Sequence, residues 1–211
     1  VDNTFMGPLF QSPLSLGADV VLHSLTKYLG GHGDVVGGAL LGSDSKLYEE
    51  LKLMQRGVGA FLQPFECYLA MRGIRTLHLR MDRAQQTALV VAKFLRDHDR
   101  VATVLYPGLD TFPQRDLKES QMSGSSGMIS FTLRDGGEAG ALNVLSKLQL
   151  WRAAVSLGSV TSYAQHPATM THATVPSEVR ACLGITDSML RLSCGVEAAE
   201  DLVKDLKAAL A

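Results

Sequence analysis

The sequence predicts an α/β protein in its first third that passes, through one long helix, into a smaller α+β layer. Three observations carry this expectation. Short Val-rich runs alternate with helix-like segments up to about residue 75, and apolar residues then recur at three- and four-residue steps from Ile74 to His98. Beyond that helix, strands and helices intermix without a strict βαβ rhythm. The expected division is residues 1–75, a connecting helix over 76–98, and a small α+β part over 99–211.

Taken in order, Val1-Asp2-Asn3 reads as the end of a strand, Leu9 to Leu16 as a short helix closed by Gly17, and Ala18 to Ser24 as a strand. A glycine-rich turn follows from Gly30 to Gly33, then a strand near Val35 to Leu41 and a helix from about Ser45 to Gln55. In the long helix, Leu77, Met81, Ala84, Ala88, Val91, Ala92 and Leu95 fall on one stripe, as a helix with a buried face requires. Further strands are expected near Val101 to Tyr106, Gly127 to Leu133, Ala153 to Leu157 and Met189 to Ser193. Helices are expected near Glu138 to Leu148, Pro176 to Leu183 and Ala198 to Leu210. Lys118 to Gly127, rich in Ser and Gly, reads as an exposed loop, and no internal repeat is present.

Composition narrows the function classes. A chain of 211 residues that is 46% hydrophobic and 19% charged has the balance of a folded protein and not of a disordered one. A formal net charge of -1, with Lys and Arg scattered, provides no basic field for nucleic acid or an anionic membrane. No apolar stretch approaches the roughly 20 residues of a membrane helix. Cys67, Cys182 and Cys194 have neither zinc-knuckle nor redox-pair spacing, so no metal is expected and a reducing cytoplasm fits best. The chain opens on Val1 with no signal-peptide pattern, and its start is expected to lie upstream.

Ser24-Leu25-Thr26-Lys27 follows the Val-rich strand directly, at the sheet edge where open α/β proteins present functional side chains. A lysine amine attacks carbonyls only when unprotonated, and the Ser24 and Thr26 hydroxyls could bind a phosphate whose aldehyde end reaches Lys27. Alone, the tetrapeptide is weak, and a surface lysine after a strand is its commoner reading. Asp2 closes the neighbouring strand, and a carboxylate there can keep a pyridine nitrogen protonated; its alternative is a local strand-end cap. Gly30-Gly31-His32-Gly33 lacks both P-loop and dinucleotide spacing and reads as a tight turn. His166 and His172, six residues apart, suit structural roles, and Cys194 reads as a small core residue.

Seven segments together resemble the trans-sulfuration enzymes, which use pyridoxal phosphate in cysteine and methionine metabolism. They are Val1 to Phe5, His23 to Asp34, Met71 to Leu77, Tyr106 to Leu109, Val155 to Gly158, His166 to His172 and Arg191 to Glu197, and the resemblance they carry extends along nearly the whole chain. The resemblance implies the aspartate-aminotransferase-like fold, fold type I, with residues 1–75 as the C-terminal part of the large cofactor-binding domain. It also implies Lys27 as the Schiff-base lysine and proton shuttle, Asp2 as partner of the pyridinium, and Ser24 with Thr26 in the phosphate cradle. Arg191 and Ser156 are implied as the clamp on the substrate α-carboxylate, a role that a planar guanidinium suits because it binds carboxylate bidentately. Without the resemblance, Arg191 reads equally as a salt-bridged strand arginine.

The implied reaction is carbon-sulfur bond cleavage in a small sulfur amino acid, and the implied assembly is a homotetramer built from dimers. Gly59-Ala60-Phe61 and Pro64 to Leu69 resemble cystathionine γ-lyase, which is ranked first. An apolar Val155 before Ser156 resembles methionine γ-lyase and the homoserine-ester sulfhydrylases instead, and Ser159 to Tyr163 departs from the family's usual Gly-x-Glu-Ser-Leu pattern. Two other readings stand beside these: an inactive subunit or interaction module retaining the fold, and an α/β phosphate-binding protein without a Schiff base.

Overall fold

A computed structural model describes residues 1–211. Residues Val1 to Asn3 run parallel to strand β1 (Val20–Ser24), with Leu22 N donating to Val1 O at 2.8 Å and Asn3 N to Leu22 O at 2.9 Å. β-branched Val20 and Val21 favour this extended backbone. Strand β2 (Gly38–Gly42) pairs antiparallel with β1, placing Gly38 opposite Ser24. The connection from Asn3 to β1 holds a short helix, α1 (Gly7–Phe10), and a separate 3₁₀ turn over Pro13–Leu16 that ends at left-handed Gly17. The single helix expected over Leu9 to Leu16 is thus two pieces, because Pro13 lacks an N–H and biases Ser12 away from helical backbone.

After β1 comes one wide helical turn, Leu25–Leu29, and after β2 comes α2 (Ser45–Val58), whose first turn is capped by the Asp44 carboxylate accepting from Leu47 N at 2.8 Å. The sequence reading missed α3 (Pro64–Ile74). Its large side chains Phe65, Tyr68 and Met71 face outward and only Ala70 and Gly73 are buried, so no apolar stripe marks it. Helix α4 (Leu77–Arg96) forms as its stripe predicts.

The second half is a five-stranded sheet of order β3-β4-β7-β6-β5: β3 (Val101–Leu105), β4 (Met128–Leu133), β5 (Arg152–Ala153), β6 (Tyr163–Gln165) and β7 (Met189–Ser193). Helices α5 (Arg115–Gln121), α6 (Gly137–Lys147), α7 (Ser177–Cys182) and α8 (Ala199–Leu210) complete it. Two expectations change here. The segment Lys118 to Gly127 is not an exposed loop, because α5 covers its first part and Ser125, Ser126 and Gly127 are buried. The strand expected from Ala153 to Leu157 is only Arg152–Ala153, after which the chain turns toward Lys27.

Two apolar clusters share α4. Leu77 and Met81 pack with Met6, Phe10, Leu25, Tyr28 and Leu29, whereas Ala88, Val91, Ala92 and Leu95 pack with Phe131, Leu190, Leu192 and Leu202. Strand alternation divides β7 in the same way: Leu190 and Leu192 enter the helix-covered core, and Arg191 projects from the opposite face. The junction between α6 and β5 is fixed by Asp205 of α8, whose carboxylate accepts from Gln149 N, Leu150 N and Trp151 N. Replacing Asp205 with Ala leaves these donors without their charged acceptor, and urea unfolding should show a loss of roughly 1.5–3 kcal/mol.

Candidate active site

The lysine sits where the first cluster meets the second sheet. Lys27 lies inside the Leu25–Leu29 turn with φ -99° and ψ -131°, outside the helical region, so its side chain leaves the turn instead of following it. Its Nζ donates to Ser156 Oγ at 3.3 Å across 129 residues of sequence. Burial lowers the Lys27 pKa below the ordinary lysine value, and the positive charge of Arg191 lowers it further.

Arg191 is the second cation of the site. Burial lowers its own pKa, and none of the chain's ion pairs involves it. Its guanidinium lies 5.7 Å from the centre of the Phe5 ring. Antiparallel β6 places Gln165 directly opposite it, and with the amide oriented oxygen-first, as the two facing N–H donors require, the Gln165 oxygen accepts from Arg191 Nε at 2.8 Å and Nη2 at 2.6 Å. Gln165 is 2% exposed, so the contact is shielded from water. A neutral acceptor therefore fixes the plane of the guanidinium without neutralising it, which leaves its charge available to an anion. The alternative of a salt-bridged strand arginine does not hold.

At the edge of the first sheet, Asp2 Oδ1 accepts from Thr4 N at 2.9 Å, and hydrogen bonds from the Thr4 side chain and backbone hold the Asp2 carboxyl below its usual range. Thr4 Oγ1 also accepts from Ser24 N at 2.9 Å, so one threonine ties Asp2 to the end of β1. Its neighbour His23 is buried and has a lowered pKa, chiefly from desolvation, with the Asp2 charge opposing the shift. The Thr26 hydroxyl is occupied by Gly37, accepting from its N–H at 3.1 Å and lying 3.4 Å from its carbonyl. The Ser24 hydroxyl makes no hydrogen bond within the chain, although its backbone is held by Thr4.

Six residues singled out from the sequence thus occupy neighbouring positions. Asp2, Ser24 and Thr26 line the edge of the first sheet, and Lys27 reaches from it to Ser156 while lying within the electrostatic reach of Arg191. Thr4 and Gln165 escaped the sequence reading. The carboxyl-to-hydroxyl spacing of Asp2-Asn3-Thr4 could have signalled the first, whereas Gln165 is visible only through the β6 to β7 register. His166 is structural as expected, with Nδ1 at 2.8 Å from Thr169 Oγ1 and Nε2 at 2.9 Å from Asp187 O. Cys194 is a buried core residue, and desolvation drives its pKa upward.

The donor set fits pyridoxal phosphate. An ionised Asp2, a lysine amine biased toward its neutral form and an unengaged Ser24 hydroxyl match the ring nitrogen, aldehyde and phosphate in kind. Comparisons with known proteins agree. The chain is 47% identical over 210 residues to cystathionine γ-lyase of Dictyostelium discoideum and 50% identical over 210 residues to cystathionine γ-synthase of Mycobacterium tuberculosis, matching 100% of itself in each case. It covers 54% and 53% of those proteins, so it spans about half their length. A solved structure described as a cystathionine γ-lyase from Micromonospora echinospora superposes with a TM-score of 0.96 at 42% identity, covering 100% of this chain and 55% of that one. Such similarity also carries the fold type I assignment. With the family model for Cys/Met metabolism PLP-dependent enzymes matching residues 1–211, the chain belongs to that family.

Proposed function

We propose that the protein is a carbon-sulfur lyase whose reaction is γ-elimination of cystathionine, with water, to cysteine, 2-oxobutanoate and ammonia. One observation carries the amino-acid chemistry of this reading: Lys27 and Arg191, with lowered pKa values and no carboxylate partner, face one site, while the choice of cystathionine is supported by similarity to a cystathionine γ-lyase. Such a pair suits an amino-acid carboxylate beside an electrophilic carbonyl and does not suit a structural core, where unpaired charge is costly. The family relationship supplies the cofactor, pyridoxal phosphate. Bound here, it would supply the aldehyde that captures the substrate amine and the ring that accepts electrons from the α-carbon.

The chain's own residues then have separable tasks. Asp2, kept ionised by Thr4, would hold a proton on the cofactor's ring nitrogen. Ser24 would donate to the cofactor phosphate, and Thr26 shapes the same edge through its bonds to Gly37. Arg191, oriented by Gln165, receives the substrate α-carboxylate in a bidentate pair, with Ser156 Oγ beside it. The Lys27 amine would take the α-proton at Nζ and deliver it to the neighbouring carbons, and Ser156 limits where that amine can go. In this reading residues 1–75 are a cofactor-binding part, residues 76–98 a connecting helix, and residues 99–211 a small part that brings Arg191 and Ser156 to the cofactor. The same reading has the protein act in the cytoplasm as a homotetramer, a dimer of dimers, on small molecules and without nucleic acid or membrane as partner. A net charge of -1 and the absence of any helix long and apolar enough to cross a membrane are compatible with that.

A second reading follows from Val155, which is 54% exposed and adjoins Ser156. An apolar side chain at the mouth of the carboxylate site favours a smaller, less polar thioether such as methionine. Comparing kcat/KM for cystathionine and methionine separates the two.

Three outcomes test the site. Borohydride reduction of the protein carrying pyridoxal phosphate should leave a pyridoxyl group on Lys27, and Lys27→Ala should abolish it; no label on Lys27 of the folded protein would overturn the lyase reading. Gln165→Leu should raise KM roughly tenfold while kcat changes little, because the guanidinium keeps its charge but loses its orientation. Arg191→Leu removes a positive neighbour that lowers the Lys27 pKa, so the amine must titrate at higher pH. Competitive acylation of the cofactor-free protein, followed by peptide mass mapping, should show the reactivity of Lys27 moving in that direction.

A further inference from the structure

The glycine run after Lys27 has no part in the chemistry above. In the structure it wraps a side chain from α4, the guanidinium of Arg80. Arg80 is 8% exposed and donates from Nη1 to Tyr28 O at 2.7 Å, from Nη2 to Gly73 O at 2.7 Å and Leu29 O at 3.4 Å, and from Nε to Thr76 Oγ1 at 3.0 Å. Gly31 has φ +74°, and a methyl group there would overlap the guanidinium; one at Gly73 would overlap Gly30 O. Both glycines are therefore required by the packing of this socket.

No carboxylate pairs with Arg80, and burial lowers its pKa. An unpaired cation in such a place is costly, and it is compensated here only by oxygens of the neighbouring chain. Two of those oxygens belong to Tyr28 and Leu29, the residues directly after Lys27. The Lys27 backbone is not helical, and the surrounding turn is held by Gly30 N to Leu25 O at 2.8 Å, Gly31 N to Lys27 O at 2.7 Å, Leu25 N to Gly37 O at 2.9 Å and the Thr26 hydroxyl bonded to Gly37, none of which engages the Tyr28 or Leu29 carbonyl. From the opposite side, the Tyr28 hydroxyl accepts from Gly127 N at 3.1 Å, and Gly31 O accepts from Val160 N at 2.9 Å. Those contacts fix the ring of Tyr28 and the far end of the turn. Arg80 alone grips the two carbonyls that follow the lysine.

We propose that Arg80 is a positioning residue for Lys27: by holding the Tyr28 and Leu29 carbonyls, it fixes the non-helical backbone that aims the Lys27 amine at Ser156 and at the cofactor aldehyde. The proposal rests on the reading of Lys27 as the cofactor lysine. It assigns the Gly30-Gly31 pair and Arg80 to one device, although they are about 50 residues apart in the chain.

Borohydride reduction and peptide mapping of the protein loaded with pyridoxal phosphate give the fraction of bound cofactor fixed on Lys27, and the melting temperature reports the fold separately. Arg80→Met should retain cofactor yet show at least a fivefold lower fraction on Lys27. Arg80→Lys should lie between it and the wild type, because one ammonium cannot span the same carbonyls. Val144→Ala, a cavity in the remote second core, should lower the melting temperature and leave the fraction unchanged. A wild-type fraction in folded Arg80→Met overturns the proposal, as does an equal fall in Val144→Ala. Should Arg80→Met not fold, Arg80→Lys decides: a reduced fraction supports the proposal and a wild-type fraction overturns it. Absence of label on Lys27 in the wild type would instead remove the reading on which the proposal rests.

Discussion

Two cations held near one another without a carboxylate between them are the constraint around which this molecule is arranged. Lys27 and Arg191 lie on segments anchored in different apolar clusters, through Leu25, Tyr28 and Leu29 on one side and Leu190 and Leu192 on the other, and approach because Ser156 and β7 bring the second sheet to the end of β1. Each is kept from an internal partner. Arg191 is oriented by the amide of Gln165, and Lys27 is hydrogen-bonded by a hydroxyl. A carboxylate in either place would cancel the charge.

The packing that enforces this runs through Tyr28. Its ring and hydroxyl are buried, desolvation pushes its pKa to about 12, and the hydroxyl accepts from Gly127 N at the start of β4. Gly158, at φ +72°, lies against the Tyr28 ring and backbone so closely that a methyl group would collide, and its N–H donates to Ser193 Oγ at 2.9 Å. Ser156, two residues earlier, is thereby held over Lys27. The Ser-Leu-Gly segment is thus a joint between the two clusters as well as the source of the hydroxyl that meets Lys27. Glu197 reinforces the same joint, accepting from Ser162 N at 2.7 Å and Ser162 Oγ at 2.8 Å, while that hydroxyl accepts from Gly195 N at 2.8 Å.

Much of this was legible in the residues. The Val-rich β1, the stripe of α4 and the pattern of β4 and β7 follow from periodicities of two and about 3.6, which depend on the chain alone. Where side chains are buried on unusual faces, periodicity misled. Helix α3 shows water its large residues, and Ser125 to Gly127 are polar or small yet lie inside because Tyr28 and the Tyr106 hydroxyl use their backbone. The candidate site was legible at Asp2, Ser24, Thr26 and Lys27, which sit at adjoining strand ends only 25 residues apart in the chain. Gln165, Thr4 and Arg80 were not, since their significance comes from which atoms they reach.

The sequence by itself determined the residue chemistry, the strand and helix alternation and, through an ordered set of motifs, the family. These are local properties, or accumulate from local ones. Only the tertiary structure decided that Arg191 is unpaired, that Gln165 sets its plane, that Ser156 meets Lys27 and that two glycines make room for Arg80. Those facts depend on sheet register, burial and the distance between residues far apart in the chain. Charge state and orientation are set by that surrounding medium, because desolvation and hydrogen-bond geometry act in space and not along the sequence.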